Sequence, residues 1–235
     1  MEGPVARPRH TLDRTRADAI VEQRIRGSAL RPHDIGNAAV DHLGLLYVPF
    51  FRVVAAVDGF HVGLSGASVR VGSAHVPIPT GGSRHAEETV FVCARREFPF
   101  TTRVARARFG GESPLSNVRL DQLVPASQLD FGDAERVQAN VPRAAAEDDA
   151  VRAVRRANEP GSRALFAQYD VRVRSVDLWL HPIFLARYRY DGDARRHADE
   201  DCYVAVCGRT GAVIAEHHPS AVRSIVARAR KFLWE

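Results

Sequence analysis

Three stretches of the chain carry apolar residues at helical spacing, and most of the sequence between them alternates. From Leu12 to Arg26, Ala17, Ile20, Val21 and Ile25 recur three to four residues apart, which predicts a helix stopped by Gly27. Ala144 to Ala157 reads as a second helix with Ala150, Val151 and Val154 inward, ended by Asn158-Glu-Pro-Gly161. Pro219-Ser220 opens a third, with Ser220 as its N-cap and Val222, Ile225, Val226, Ala229, Phe232 and Leu233 along one face. Strands are predicted over Phe50–Val57, Phe60–Ser65, Asp170–Val176, Pro182–Tyr190, Cys202–Cys207 and Ala212–Glu216, with shorter ones near Val69–Val71, His75–Ile78 and Thr89–Ala94. Asp58-Gly59 between two apolar runs predicts a tight hairpin turn, and Gly208-Arg-Thr-Gly211 predicts another.

One pattern occurs twice. Tyr47-Val-Pro-Phe-Phe-Arg-Val-Val-Ala-Ala-Val-Asp-Gly59 aligns without gaps on Leu180-His-Pro-Ile-Phe-Leu-Ala-Arg-Tyr-Arg-Tyr-Asp-Gly192, so Pro49, Phe51, Asp58 and Gly59 recur as Pro182, Phe184, Asp191 and Gly192. With 193–201 as an insertion, Phe60–Gly66 continues onto Cys202–Gly208. Alternation along a strand then assigns faces. Phe51, Val53, Ala55, Val57, Phe60, Val62 and Leu64 are expected inside, as are Phe184, Ala186, Tyr188, Tyr190, Cys202, Val204 and Val206, leaving Arg187 and Arg189 outside.

A helix precedes each copy. The expectation is an α+β protein of two degenerate helix–β-hairpin repeats forming antiparallel sheet, plus a C-terminal amphipathic helix. The organisation is read as a disordered leader at 1–11, a first unit at 12–98, an irregular linker at 99–142 that packs on the sheet, and a second unit at 143–235.

Composition narrows the functional classes. The net charge is +5, yet Lys231 is the only lysine, and arginine with abundant alanine and valine looks like the codon bias of a GC-rich genome. No secretory signal is read at the N-terminus, and Leu43–Val57, the longest apolar stretch, holds Pro49 and Arg52 and is too short to span a bilayer. Cys93, Cys202 and Cys207 form neither a disulfide framework nor a metal-binding pair, which points to a reducing, cytoplasmic location. His197-Ala-Asp-Glu-Asp201 offers mixed ligands for a weak loop metal, but reads first as a solvated acidic loop. Thr80-Gly-Gly-Ser-Arg84 lacks the lysine and context of a phosphate-binding loop. Arg95, Arg96, Arg103, Arg106 and Arg108, interleaved with Phe98, Phe100 and Phe109, form the densest basic-aromatic segment.

Residues 145–219 carry Leu180-His-Pro182, Tyr188-Arg-Tyr190 and Cys207-Gly-Arg-Thr-Gly211 leading into Val213 and Glu216. This resembles the PepSY-like hairpin module of poorly characterised bacterial proteins that carry an N-terminal zinc ribbon. Here Cys207 stands where asparagine is usual, and the ribbon is missing. The resemblance implies a non-catalytic interaction or scaffold module and transfers no catalytic residue, metal or cofactor. The reading is therefore a bacterial protein-interaction or assembly component, with Arg187, Arg189, Arg223, Arg228 and Phe232 as its candidate contact surface. A basic nucleic-acid or anionic-membrane binder is the alternative, and an enzyme with a dispersed site the next.

Overall fold

The computed structural model describes residues 6–8, 12–27, 39–98, 103–105, 123–125, 128, 131–159, 164–189 and 202–218. In chain order these form β1 (Ala6–Pro8), α1 (Arg14–Arg26), β2 (Ala39–Val71), β3 (Ala74–Cys93), β4 (Arg103–Ala105), β5 (Leu123–Pro125), β6 (Glu135–Arg136), α2 (Arg143–Ala157), β7 (Ala164–Arg189), β8 (Cys202–Cys207) and β9 (Val213–His217). The pairings β1–β5, β2–β3, β3–β4, β7–β8 and β8–β9 are antiparallel, and β6 joins β2 in parallel.

Antiparallel sheet dominates, which corrects the expected balanced α+β fold of helix–hairpin repeats. β2, β3 and β7 run 33, 20 and 26 residues, against 13 and 15 for the two helices. The segments predicted over 170–176 and 182–190 are one strand, because Pro182 does not interrupt β7. Ala6–Pro8, inside the stretch read as a leader, pairs with β5.

The chain divides into two compact units, and the division falls within β2 and within β7. Unit 1 holds Met1–Val5, Phe50–Asn117 and Ala139–Trp179; unit 2 holds Ala6–Pro49, Val118–Gln138 and Leu180–Glu235. The first crossing lies inside the repeated motif, next to Pro49, and the second at the start of its second copy, two residues before Pro182.

In unit 1, α2 buries Ala146, Ala150 and Val154, a stripe four residues apart. These small side chains pack with Phe51, Val53, Ala55 and Val57 of β2, Val90 and Val92 of β3, and Val171 and Val176 of β7. On the opposite face Arg52 lies 5.3 Å over the Trp179 ring and 3.4 Å from Asp177, while Phe91 meets the same indole at 5.8 Å.

In unit 2, Asp13 caps α1 by accepting from the Arg16 amide at 2.7 Å. The helix buries Ala17, Val21 and Ile25 among Leu43, Phe184, Ala186, Tyr188, Cys202, Val204 and Val206. Arg24 forks onto the Glu216 carboxylate at 2.6 and 3.1 Å and fastens the last turn to β9.

Each helix therefore covers the hairpin that the repeat reading gave to the other. In unit 1 the order is hairpin β2–β3, then α2, then the first part of β7. Unit 2 has the same order, started at another point: hairpin β7–β8 is covered by α1, which arrives from the N-terminal side, followed by the first part of β2. The pairings agree, since Val53 faces Val90 in β2–β3 as Phe184 faces Val206 in β7–β8. β8 thus corresponds to β3 and not to Phe60–Gly66, so the burial expected for Phe60 and Val62 fails, and both are exposed.

Asp58-Gly59 is not a turn. β2 passes straight through it, with Asp58 opposite His85 and Gly59 opposite Arg84. The hairpin turns instead at Gly72-Ser73, where Gly72 takes φ +62°. The second predicted turn does form: the Gly211 amide donates to the Cys207 carbonyl at 2.9 Å, with Gly211 at φ +73°. The C-terminal helix, loop 193–201, Tyr190, Asp191-Gly192, Arg106 and Arg108 lie outside the described residues. Among the described residues, no helix is long and apolar enough to cross a membrane.

Candidate functional site

Beyond Leu64, β2 and β3 form a ribbon in which every residue from Ala67 to Ser83 is exposed. Its register sorts the side chains into two faces, because directly opposed residues point the same way. Val69 opposes Val76 and Val71 opposes Ala74, while on the other face Ser68 opposes Pro77 and Arg70 opposes His75. Ile78 lies two and four residues from Val76 and Ala74 on β3 and joins the apolar face.

The polar face is internally bonded. Ser68 Oγ meets His75 Nδ1 at 3.4 Å, and Arg70 Nε donates to the Gly72 carbonyl at 3.2 Å. The apolar face carries large exposed surface, with Val69 at 53%, Val71 at 62%, Val76 at 47% and Ile78 at 40%. Along β3 it continues the side on which α2 covers Val90 and Val92. The helix covers one end of this face and leaves the apolar tip to solvent.

The ribbon's edge is guarded where its face is not. Pro77 and Pro79 remove two N–H donors from β3, and proline on an edge strand discourages addition of a further strand. Near the base, Phe60 of β2 and Phe166 of β7 form a tilted ring pair at 5.4 Å, both exposed, next to exposed Leu165. Exposed apolar side chains grouped this way mark contact surfaces more often than singly scattered ones.

The residues proposed from sequence are placed as follows. Arg187 and Arg189 are exposed on β7 in unit 2, and Arg187 opposes the half-buried Tyr203. Arg223, Arg228 and Phe232 lie outside the described residues. In the basic-aromatic segment Arg95 Nε pairs with Glu97 at 2.8 Å, and Asn140 accepts from the Arg96 amide at 3.0 Å while donating to Glu97. Its nearby carboxylate offsets part of the positive field. Glu97 itself is held below the usual carboxylate range by a hydrogen bond from its own backbone amide, then by Asn140.

Two titratable groupings lie in unit 2. Tyr188 OH bonds His218 Nδ1, His218 Nε2 lies 3.2 Å from Glu216, and Glu216 holds Arg24. Burial pushes the Glu216 carboxyl up, but the bonds from Arg24 and His218 outweigh it and hold the pKa low. This chain fastens α1, β7 and β9 to one another. The second grouping is His181 Nε2 at 3.2 Å from Cys207 Sγ, with both side chains buried. Burial, with Arg209 adding to it, depresses the imidazole to about 3, so it is neutral packing at ordinary pH.

All three cysteines are buried thiols, and burial pushes the Cys93 thiol up to about 11. Since the thiolate is the reactive form, the native chain is expected to resist alkylation at all three sites, with each labelled once urea unfolds it. Mass spectrometry of iodoacetamide-treated protein checks this, and rapid labelling of Cys93 in the native state would contradict its placement.

Sequence reasoning missed the ribbon face because the Asp58-Gly59 signal ended the hairpin fourteen residues before the observed turn at Gly72-Ser73. The available signal was Gly72-Ser73, flanked by alternating Val69, Val71 and Ala74, Val76. No protein-family model, curated protein or solved structure matches the chain.

Proposed function

We propose that this chain is a cytoplasmic protein-interaction or assembly component that docks through the apolar face of the β2–β3 ribbon. The observation that carries the reading is the sorting of Val69, Val71, Ala74, Val76 and Ile78 onto one solvent-exposed face, opposite a bonded polar face. A ribbon needs no apolar side chains on an open face for its own ladder, and burying them against a partner releases their hydration. With Pro77 and Pro79 on β3, the partner is a protein that lays an apolar surface on this face, not one that adds a strand. The PepSY-like resemblance of residues 145–219 supports the same class of function. The exposed Arg187 and Arg189 are a candidate second contact.

The test is affinity purification from the native host with wild-type chain and a Val69→Arg, Val76→Glu double variant. These residues are directly opposed, so the introduced charges pair across the ribbon and leave its ladder supported. The variant is expected to melt with the wild type and to bind the recovered protein at least about tenfold more weakly. Equal recovery by a folded variant sinks the reading. Recovery of nucleic acid instead, lost steeply as salt rises, would establish the basic-binder alternative.

A further inference from the structure

On the side of unit 1 away from α2, the sheet carries an exposed group separate from the ribbon tip. β3, β2 and β7 lie side by side in the sheet, with β2 in the middle. Val57, Val90 and Val171 pack with α2, so the residues alternating with them point the other way. By that alternation Phe60 and Val62 of β2 share the far face with Phe166 of β7, and all three are exposed. The Phe60 and Phe166 rings lie 5.4 Å apart. The same face holds charges. Asp58 pairs with His85 of β3 at 2.9 Å, and Arg172 with Asp170 along β7 at 2.7 Å. Glu87 of β3 and Arg174 of β7 are exposed too, and among the described residues neither has an ion-pair partner.

These two charges stand at one level. Glu87 is opposite Ala56 of β2. On the other side of β2 the contacts pass from Phe60–Phe166 through Gly59–Gln168 to Arg52–Asp177, so β7 runs antiparallel and Arg174 lies beside residues 54–56. A carboxylate and a guanidinium therefore flank the middle strand, one on each outer strand. We propose that this face binds a second copy of the chain, about a two-fold axis lying along β2 in the plane of contact. That operation exchanges the outer strands, so Glu87 of each copy meets Arg174 of the other. Phe60 and Val62, on the middle strand, meet their own counterparts. The charges select this occupant, because one face supplies both signs where the two-fold needs them. Nucleic acid would set phosphates against Asp58, Glu87 and Asp170. A bilayer would strip water from Glu87 and Arg174 without pairing them. A face three strands wide, with strands about 4.8 Å apart, is small for an interface and suits a dimer with a Kd on the order of 10 µM. The contact goes beyond docking at the ribbon, whose apolar tip lies on the α2 side and stays free.

Sedimentation velocity of the full chain, from about 1 to 300 µM, is expected to show a monomer passing into a dimer. Glu87→Arg and Arg174→Glu each set like charges against one another at both ends of the contact, and each should weaken the dimer at least about tenfold. Both sites are exposed, so the variants should melt with the wild type. Mixed in equal amounts, the two variants should dimerise again, since both contacts then pair opposite signs. The Val69→Arg, Val76→Glu variant should dimerise as the wild type does. A wild type that stays monomeric throughout overturns the proposal. So do single variants that associate as the wild type, or a mixture that stays monomeric. Loss of the dimer in the ribbon variant would move self-association to the ribbon tip and overturn it as well.

Discussion

Acidifying the protein from pH 6.5 to pH 4 is expected to remove about 3 kcal/mol of stability through His181 alone. The imidazole is buried among β7 and β8 with the Cys207 thiol, and its folded-state pKa is depressed from 6.5 to about 3. The sign follows from proton binding. Below pH 6.5 the unfolded chain takes up a proton at this residue that the folded chain refuses until about pH 3. The contribution is therefore whole above the unfolded value and is lost as pH falls towards the folded one, by about 1.4 kcal/mol per unit at most. Glu216 works in the same direction at lower pH, because its carboxylate is held low by Arg24 and His218 and must be protonated on unfolding.

Urea titrations at half-unit pH intervals, on wild type and His181→Gln, separate the two. The variant should be less stable at pH 7 yet lose markedly less stability between pH 6.5 and 4. Parallel pH profiles for the two proteins would show that His181 is not the group responsible. An intermediate difference near pH 4.5 and below, absent in Glu216→Gln, would isolate the carboxylate.

The parts of this fold legible in the sequence are those set by local pattern. Helical spacing located both described helices, and alternation correctly assigned Phe51, Val53, Ala55, Val57, Phe184, Ala186, Tyr188, Cys202, Val204 and Val206 to the interior. It also placed Arg187 and Arg189 outside. What was not legible is which hairpin each helix covers, since an amphipathic helix shows that it has an apolar face but not which apolar face it meets. α1 and α2 carry similar small stripes, Ala17-Val21-Ile25 and Ala146-Ala150-Val154, and either fits either hairpin by pattern alone. The ribbon face was hidden for a related reason. Val69–Val71 and His75–Ile78 read only as short strands extending the sheet, with no face assigned, and in the structure Val69, Val71, Val76 and Ile78 are exposed.

Gly59→Ala is expected to cost about 1–3 kcal/mol, and more than Gly72→Ala, although Gly72 has the conformation that usually penalises a side chain. Gly72 sits at φ +62° in the Gly72-Ser73 turn, and a β-carbon there meets nothing within 4 Å. Its cost is the local one of a left-handed residue, about 1–2 kcal/mol at most. Gly59 is in mid-strand, and its β-carbon would lie 2.3 Å from the Gln168 carbonyl oxygen and 2.9 Å from the Tyr169 α-carbon. Those are backbone atoms of β7, which cannot swing aside as a side chain would, so β2 and β7 must part locally. The loss should fall on the part of unit 1 where Val57 and Tyr169 share a core. Gly59→Val, with two more carbons at the same contact, should deepen it further, whereas Gly72→Asn should be nearly neutral, because asparagine tolerates the left-handed region. Denaturant midpoints for the four variants test the order. If Gly72→Ala proved the costlier of the two alanine changes, the close approach of β7 at Gly59 would be wrong, and with it the account of why the repeated Asp-Gly motif keeps its glycine in a strand that does not turn there.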